Sequence, residues 1–139
     1  RAAIGIEQLK KLPKGNSDRE KLVQNYRDAF TRKYPELGLP FGEKRGQSSY
    51  HIFPVLLPEG QDKNVFRERL KEAGIQTSFH YPPVHGFEIY RQFCADPNQS
   101  LYMTQLAARR EVTLPLFPTM TANQQMLVVE ETVKALKRD

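Results

Sequence analysis

Gln76-Thr77-Ser78-Phe79-His80-Tyr81-Pro82-Pro83-Val84-His85 holds two of the three histidines in a chain of 139 residues, and it reads as a strand that runs into a rigid corner. Its residues are β-branched or aromatic where a strand favours them. Alternation sends Thr77, Phe79 and Tyr81 to one face and Ser78 and His80 to the other. Pro82 and Pro83 fix φ and remove two backbone donors, so ladder pairing stops there. The corner is expected to hold His80, Tyr81 and His85 close together at the strand end. Imidazole can donate, accept or carry charge near neutral pH, which makes this strand end the candidate site. A metal is not expected. His80 and His85 stand five apart with no Cys, Asp or Glu between them as a third ligand, and zinc needs three or four ligands.

Upstream of this stretch, Asp62 can cap a helix whose inner face is Val65, Phe66, Leu70 and Ala73, with Gly74 as its C′ residue. Before that, Gln47–Leu57 reads as a strand containing His51, with Pro54 marking an edge or a bulge. His51 is equally consistent with a structural and a functional role. Downstream, Gly86–Cys94 reads as a short aromatic-rich helix. Asp96-Pro97-Asn98-Gln99 then starts a further helix that runs to about Arg110. Val112–Pro118 is a short apolar strand. Thr121 and Gln124 have capping-box spacing, and Met126, Val129, Val133 and Leu136 line one face of a last helix.

Arg1–Leu12 reads as a helix in mid-course, without an N-cap ahead of it, which points to a piece of a longer polypeptide. Pro13-Lys14-Gly15-Asn16 is expected to break that helix. Ser17, paired with Glu20, is expected to start another, with Leu22, Val23, Tyr26, Ala29 and Phe30 as its apolar stripe. Three strands covered on one side by amphipathic helices make a two-layer α+β domain. Nothing in residues 1–139 resembles a repeat, a linker or a low-complexity tract, so a single domain is expected.

The formal net charge is +5, but the basic pairs are scattered and no RNP, zinc-finger or Gly-rich phosphate motif is present. Solvated faces and helix C-termini account for such a distribution. A small nucleic-acid-binding domain is the alternative from another class, and a purely structural module is a third. Cys94 is the only cysteine, which fits a reducing, cytoplasmic setting. No apolar run approaches the ~20 residues of a membrane span.

Four segments in order resemble the DegT/DnrJ/EryC1/StrS family of fold-type-I, pyridoxal-phosphate-dependent sugar aminotransferases. They are Arg1–Leu9, Ser49-Tyr50-His51-Ile52-Phe53, Gly74–His85 and Thr113–Thr121. Arg19 and Tyr26 fit the family pattern too. Pro13–Asn16 depart from it, because the family continues its first helix through that region.

The resemblance implies a C-terminal small domain with a small, mainly antiparallel three-stranded sheet, residues 1–12 being the end of an interdomain helix. The Schiff-base lysine, the acidic partner of the pyridine nitrogen and most phosphate contacts would lie in a missing N-terminal domain. No catalytic residue is therefore nominated in this chain, and the isolated piece is expected to be inactive and to bind no pyridoxal phosphate by itself. The implied reaction moves an amino group from an amino acid, commonly glutamate, to a keto group of a nucleotide-linked sugar, in a homodimeric enzyme. His80, Tyr81 and His85, with Ser78 in support, would face the substrate. Some relatives replace the lysine and act as dehydratases, and that alternative stays open.

Overall fold

The computed structural model describes residues 2–43, 46–91, 93 and 101–137. The element order is helix α1 (Ala2–Lys33), strand β1 (Phe53–Leu56), helix α2 (Lys63–Glu72), a 3₁₀ turn at Val84–Gly86 and helix α3 (Glu88–Arg91). Helix α4 (Tyr102–Arg110), strand β2 (Glu111–Leu114) and helix α5 (Ala122–Lys137) follow. Cys94 and the helix start at Asp96–Gln99 lie outside the described residues. The aromatic-rich stretch after the Pro-Pro corner forms the 3₁₀ turn and α3 rather than one helix.

Two helices were expected where one runs. α1 continues through Pro13, and Ser17 lies inside it rather than capping a second helix. Proline removes one i→i−4 bond and crowds the carbonyl a turn earlier, but neighbouring contacts support the turn. Lys14 Nζ donates to Asp18 Oδ2 at 2.6 Å, and Arg19 donates to Asn16 Oδ1. A Cβ at Gly15 would meet Pro118 Cγ at 3.7 Å, so this turn rides against the loop that follows β2. Glu20, freed from the expected cap, accepts from the Tyr50 hydroxyl at 2.7 Å.

Other termini follow the local chemistry. Asp62 Oδ1 accepts from Asn64 N at 2.7 Å and Val65 N at 3.1 Å at the start of α2. Gly74 takes φ +76°, the left-handed conformation that closes that helix. Thr121 N donates to Gln124 Oε1 at 2.9 Å, and Gln124 N returns the bond to Thr121 Oγ1 at 3.3 Å.

The sheet has two antiparallel strands, β1 and β2, with Phe53 opposite Leu114 and Pro54 opposite Thr113. The expected third strand contributes one bridge, with Ser78 N donating to Thr113 O at 3.1 Å and Thr113 N to Ser78 O at 2.8 Å. Pairing stops there because side chains take the flanking backbone groups. Arg67 Nη2 donates to Thr77 O at 3.3 Å, and His80 N donates to the Glu111 carboxylate at 2.9 Å. The expected Gln47–Leu57 strand is likewise cut to four residues. Pro54 costs no ladder bond. Thr113 opposite it spends both backbone groups on Ser78, as the alternation of an antiparallel pair allows.

The core joins Leu22, Val23, Tyr26 and Phe30 of α1 to Phe53 and Val55, Val112 and Leu114, Phe66 and Leu70, and Val128, Val129, Ala135 and Leu136. Full burial of a Phe or Leu here contributes about 1.5–3 kcal/mol. Tyr26 stacks on Phe53 with centroids 4.8 Å apart and donates its hydroxyl to Pro115 O at 3.0 Å. Val65 and Met126, expected on inner faces, are about half exposed. Several cations serve the fold itself. Arg69 donates to Ala135 O at 2.7 Å near the C-terminus of α5, and Arg110 donates to Leu57 O at 2.6 Å.

Candidate functional site

The segment after α2 is anchored from both sides. Arg67 Nε donates to Thr77 Oγ1 at 3.2 Å, and the Phe79 ring lies under Lys63 Nζ (4.8 Å) and the Arg67 guanidinium (5.2 Å). Those contacts hold Thr77 and Phe79 against α2. Ser78 and His80 line an open cavity of about 660 Å³, to which Thr77 also contributes. His51 and Thr113 add further polar groups, while Leu116, Phe117 and Leu127 supply an apolar wall.

His80 sits in a chain of hydrogen bonds. Its Nδ1 lies 2.9 Å from Thr113 Oγ1. Thr113 Oγ1 donates to Glu111 Oε1 at 2.6 Å, and the other Glu111 oxygen receives the His80 backbone N–H. Glu111 and Thr113 stand two apart on β2, so strand alternation puts both side chains on one face. The Tyr81 ring meets the His80 imidazole nearly at right angles (77°), with centroids 4.8 Å apart, and Tyr81 is 76% exposed. The peptide joining the two residues is cis.

The Pro-Pro corner carries His85 elsewhere. Gly86 N donates to Pro83 O at 2.9 Å, closing the 3₁₀ turn. His85 then lines a second cavity of about 660 Å³ with Lys63, Asn64, Gln105 and Arg109. The structure thus brings Ser78, His80 and Tyr81 together and seats His85 on a different cavity. His51 joins His80, from across the sheet.

Glu111 and Thr113 were missed in the sequence because Val112–Pro118 reads as an apolar strand. The available signal was an acid and a hydroxyl at i and i+2 directly before a strand's apolar run. Although Glu111 approaches His80 in space, no group of three His, Cys, Asp or Glu able to hold a metal exists among the described residues.

The His80 cavity does not fit a pyridoxal phosphate. No lysine lines it to bind the aldehyde, and no arginine lines it to hold the phosphate. Lys63 Nζ is committed to Ala108 O at 2.6 Å, and Lys10, Lys14, Lys71 and Lys134 sit in surface ion pairs. The lining suits a polyhydroxylated ligand, with hydroxyl and imidazole groups facing an apolar wall.

The family model of the DegT/DnrJ/EryC1/StrS aminotransferases matches residues 1–133. This chain belongs to that family. A dTDP-4-dehydro-2,3,6-trideoxy-D-glucose 4-aminotransferase of Saccharopolyspora spinosa is 34% identical over 98% of the chain and 34% of its own length. Among solved structures, S. venezuelae DesV in complex with a ketimine intermediate superposes with a TM-score of 0.86. It is 29% identical over 99% of this chain and 36% of that one. NtdA from Bacillus subtilis, with bound cofactor PMP, gives a TM-score of 0.80 and 25% identity over 99% of this chain and 32% of that one. The chain therefore spans about a third of the length of the relatives it matches. The fold is the α+β architecture of those aminotransferases, built here on two strands and a bridge. Among the described residues, no helix is long and apolar enough to cross a membrane.

Proposed function

We propose that this chain is the substrate-side wall of a pyridoxal-phosphate-dependent sugar aminotransferase, the C-terminal small domain of a longer, homodimeric, cytoplasmic enzyme. The reaction moves an amino group from an amino acid, glutamate in the simplest case, to a keto group of a nucleotide-linked sugar. The cofactor and its lysine belong to the missing N-terminal domain, so the chain alone is inactive. When bound there, pyridoxal phosphate supplies the electron sink. The relatives named above, a sugar 4-aminotransferase and a PMP-bound enzyme, support that chemistry.

The observation that carries the reading is the open His80 cavity in a chain of this family. Ser78 and His80 offer side-chain hydrogen bonds to sugar hydroxyls. The exposed Tyr81 ring offers a flat apolar surface beside them, and His85 contributes a contact from the neighbouring cavity. Hydrogen bonds of this kind orient a keto carbon without reacting with it.

The test is product analysis with a full-length enzyme carrying this chain, supplied with pyridoxal phosphate, glutamate and a nucleotide-linked keto sugar. An amino sugar formed in step with 2-oxoglutarate is expected. A deoxygenated sugar without amine would establish the dehydratase alternative, and turnover by the chain alone would contradict the proposal.

A further inference from the structure

We infer that Thr113 and Glu111 are positioning residues that lock His80 as its Nδ1–H tautomer, so that Nε2 faces the cavity as a hydrogen-bond acceptor. A threonine hydroxyl has one proton to give. Thr113 gives it to Glu111, a carboxylate that also receives the His80 backbone N–H. The 2.9 Å contact between Thr113 Oγ1 and His80 Nδ1 must then be completed by a proton on Nδ1. Neutral imidazole carries one N–H, so Nε2 is left with its lone pair. Among the described residues Nε2 has no protein partner, while His80 lines the cavity.

The arrangement is built rather than incidental. Thr113 is 6% exposed, and both its backbone groups pair with Ser78, so neither its position nor its rotamer has freedom to drift. Glu111 clamps the segment at two points, through the His80 backbone and through the hydroxyl that touches the ring. Seeing only acceptors at His80, the cavity selects a ligand group that donates: a sugar hydroxyl rather than a phosphate oxygen or a carbonyl. The donor preference rests on the proposal that this cavity takes substrate, whereas the tautomer does not.

The experiment uses the full-length enzyme, labelled with ¹⁵N-histidine and studied at about pH 8.5, where imidazole is neutral. The His80 signals are assigned by their loss in His80→Gln. A pyrrole-type Nδ1 and a pyridine-type Nε2 are expected in the wild type. Thr113→Val should move the population toward the Nε2–H form and raise the KM for the sugar about five- to tenfold. Thr113→Ser, which keeps the hydroxyl, should retain both wild-type values and so controls for a packing defect in Thr113→Val. The KM for the amino donor should be unchanged throughout. A wild-type Nε2–H form, or a tautomer indifferent to Thr113→Val, would overturn the relay while leaving the cavity reading intact. The expected tautomer together with a wild-type sugar KM in His80→Gln would overturn the donor selection and the cavity reading with it.

Discussion

Two buried side chains isolate single interactions. Thr132 is fully buried in α5, and among the described residues its hydroxyl has no hydrogen-bond partner. An unsatisfied buried hydroxyl costs more than the matching methyl group. Thr132→Val is therefore expected to stabilise the protein by about 1 kcal/mol, read as a higher denaturation midpoint. Tyr26 makes the opposite case, because burial pushes its phenol well above the ordinary 10.0. The native state keeps the proton that the unfolded state releases from about pH 10 upward, so this contribution is intact below pH 10 and lost as pH rises through that range. Stability of the wild type should fall above pH 10 by up to about 1.4 kcal/mol per pH unit more steeply than that of Tyr26→Phe. Parallel pH profiles would remove Tyr26 from the account. At this scale the sequence was partly legible. The Leu22–Phe30 stripe announced Tyr26 as core, but nothing local revealed that Pro115, 89 residues on, would take its hydroxyl.

Elements were legible where local chemistry and tertiary context agree, and misread where they diverge. Asp62 and Thr121 cap as their spacing says, because an N-cap bond is closed within one turn. Pro13 pointed to a break, but the helix runs through it, held by side-chain pairs and by the loop at Pro118. Pro13→Ala should accordingly stabilise α1, by up to about 3 kcal/mol locally. Slower amide exchange across the turns on either side of residue 13 would show this, and unchanged protection would contradict it. The Gln76–His85 stretch was read correctly in setting Phe79 apart from His80, but not in sending Tyr81 to the Phe79 face, since its ring meets the His80 imidazole, nor in its pairing. Thr77 and His80 give backbone groups to Arg67 and Glu111, distant partners that no strand pattern reveals. The same limit explains the site. The corner named His80 and Tyr81, whereas Thr113 and Glu111 enter through sheet pairing, and His85 leaves on its own turn.

As a whole, the molecule pairs a buried apolar core with a set of exposed large apolar side chains. Ile4, Ile6, Leu9 and Leu12 line the exposed first third of α1, and Val84, Phe87, Ile89 and Phe93 are also solvent-facing. Patches of this kind mark contact surfaces. The relatives it matches are about three times as long, and on the proposed reading the rest of such a protein covers these patches. On the same proposed reading, the core fixes the shape of the wall and the His80 cavity is the part of it that meets substrate. The most direct measurement is steady-state kinetics of His80→Ala in the full-length enzyme, with the keto sugar varied. Loss of an oriented hydrogen bond to substrate predicts a fall in kcat/KM for the sugar of at least about tenfold, with the fold intact. A wild-type kcat/KM in that variant would contradict the account.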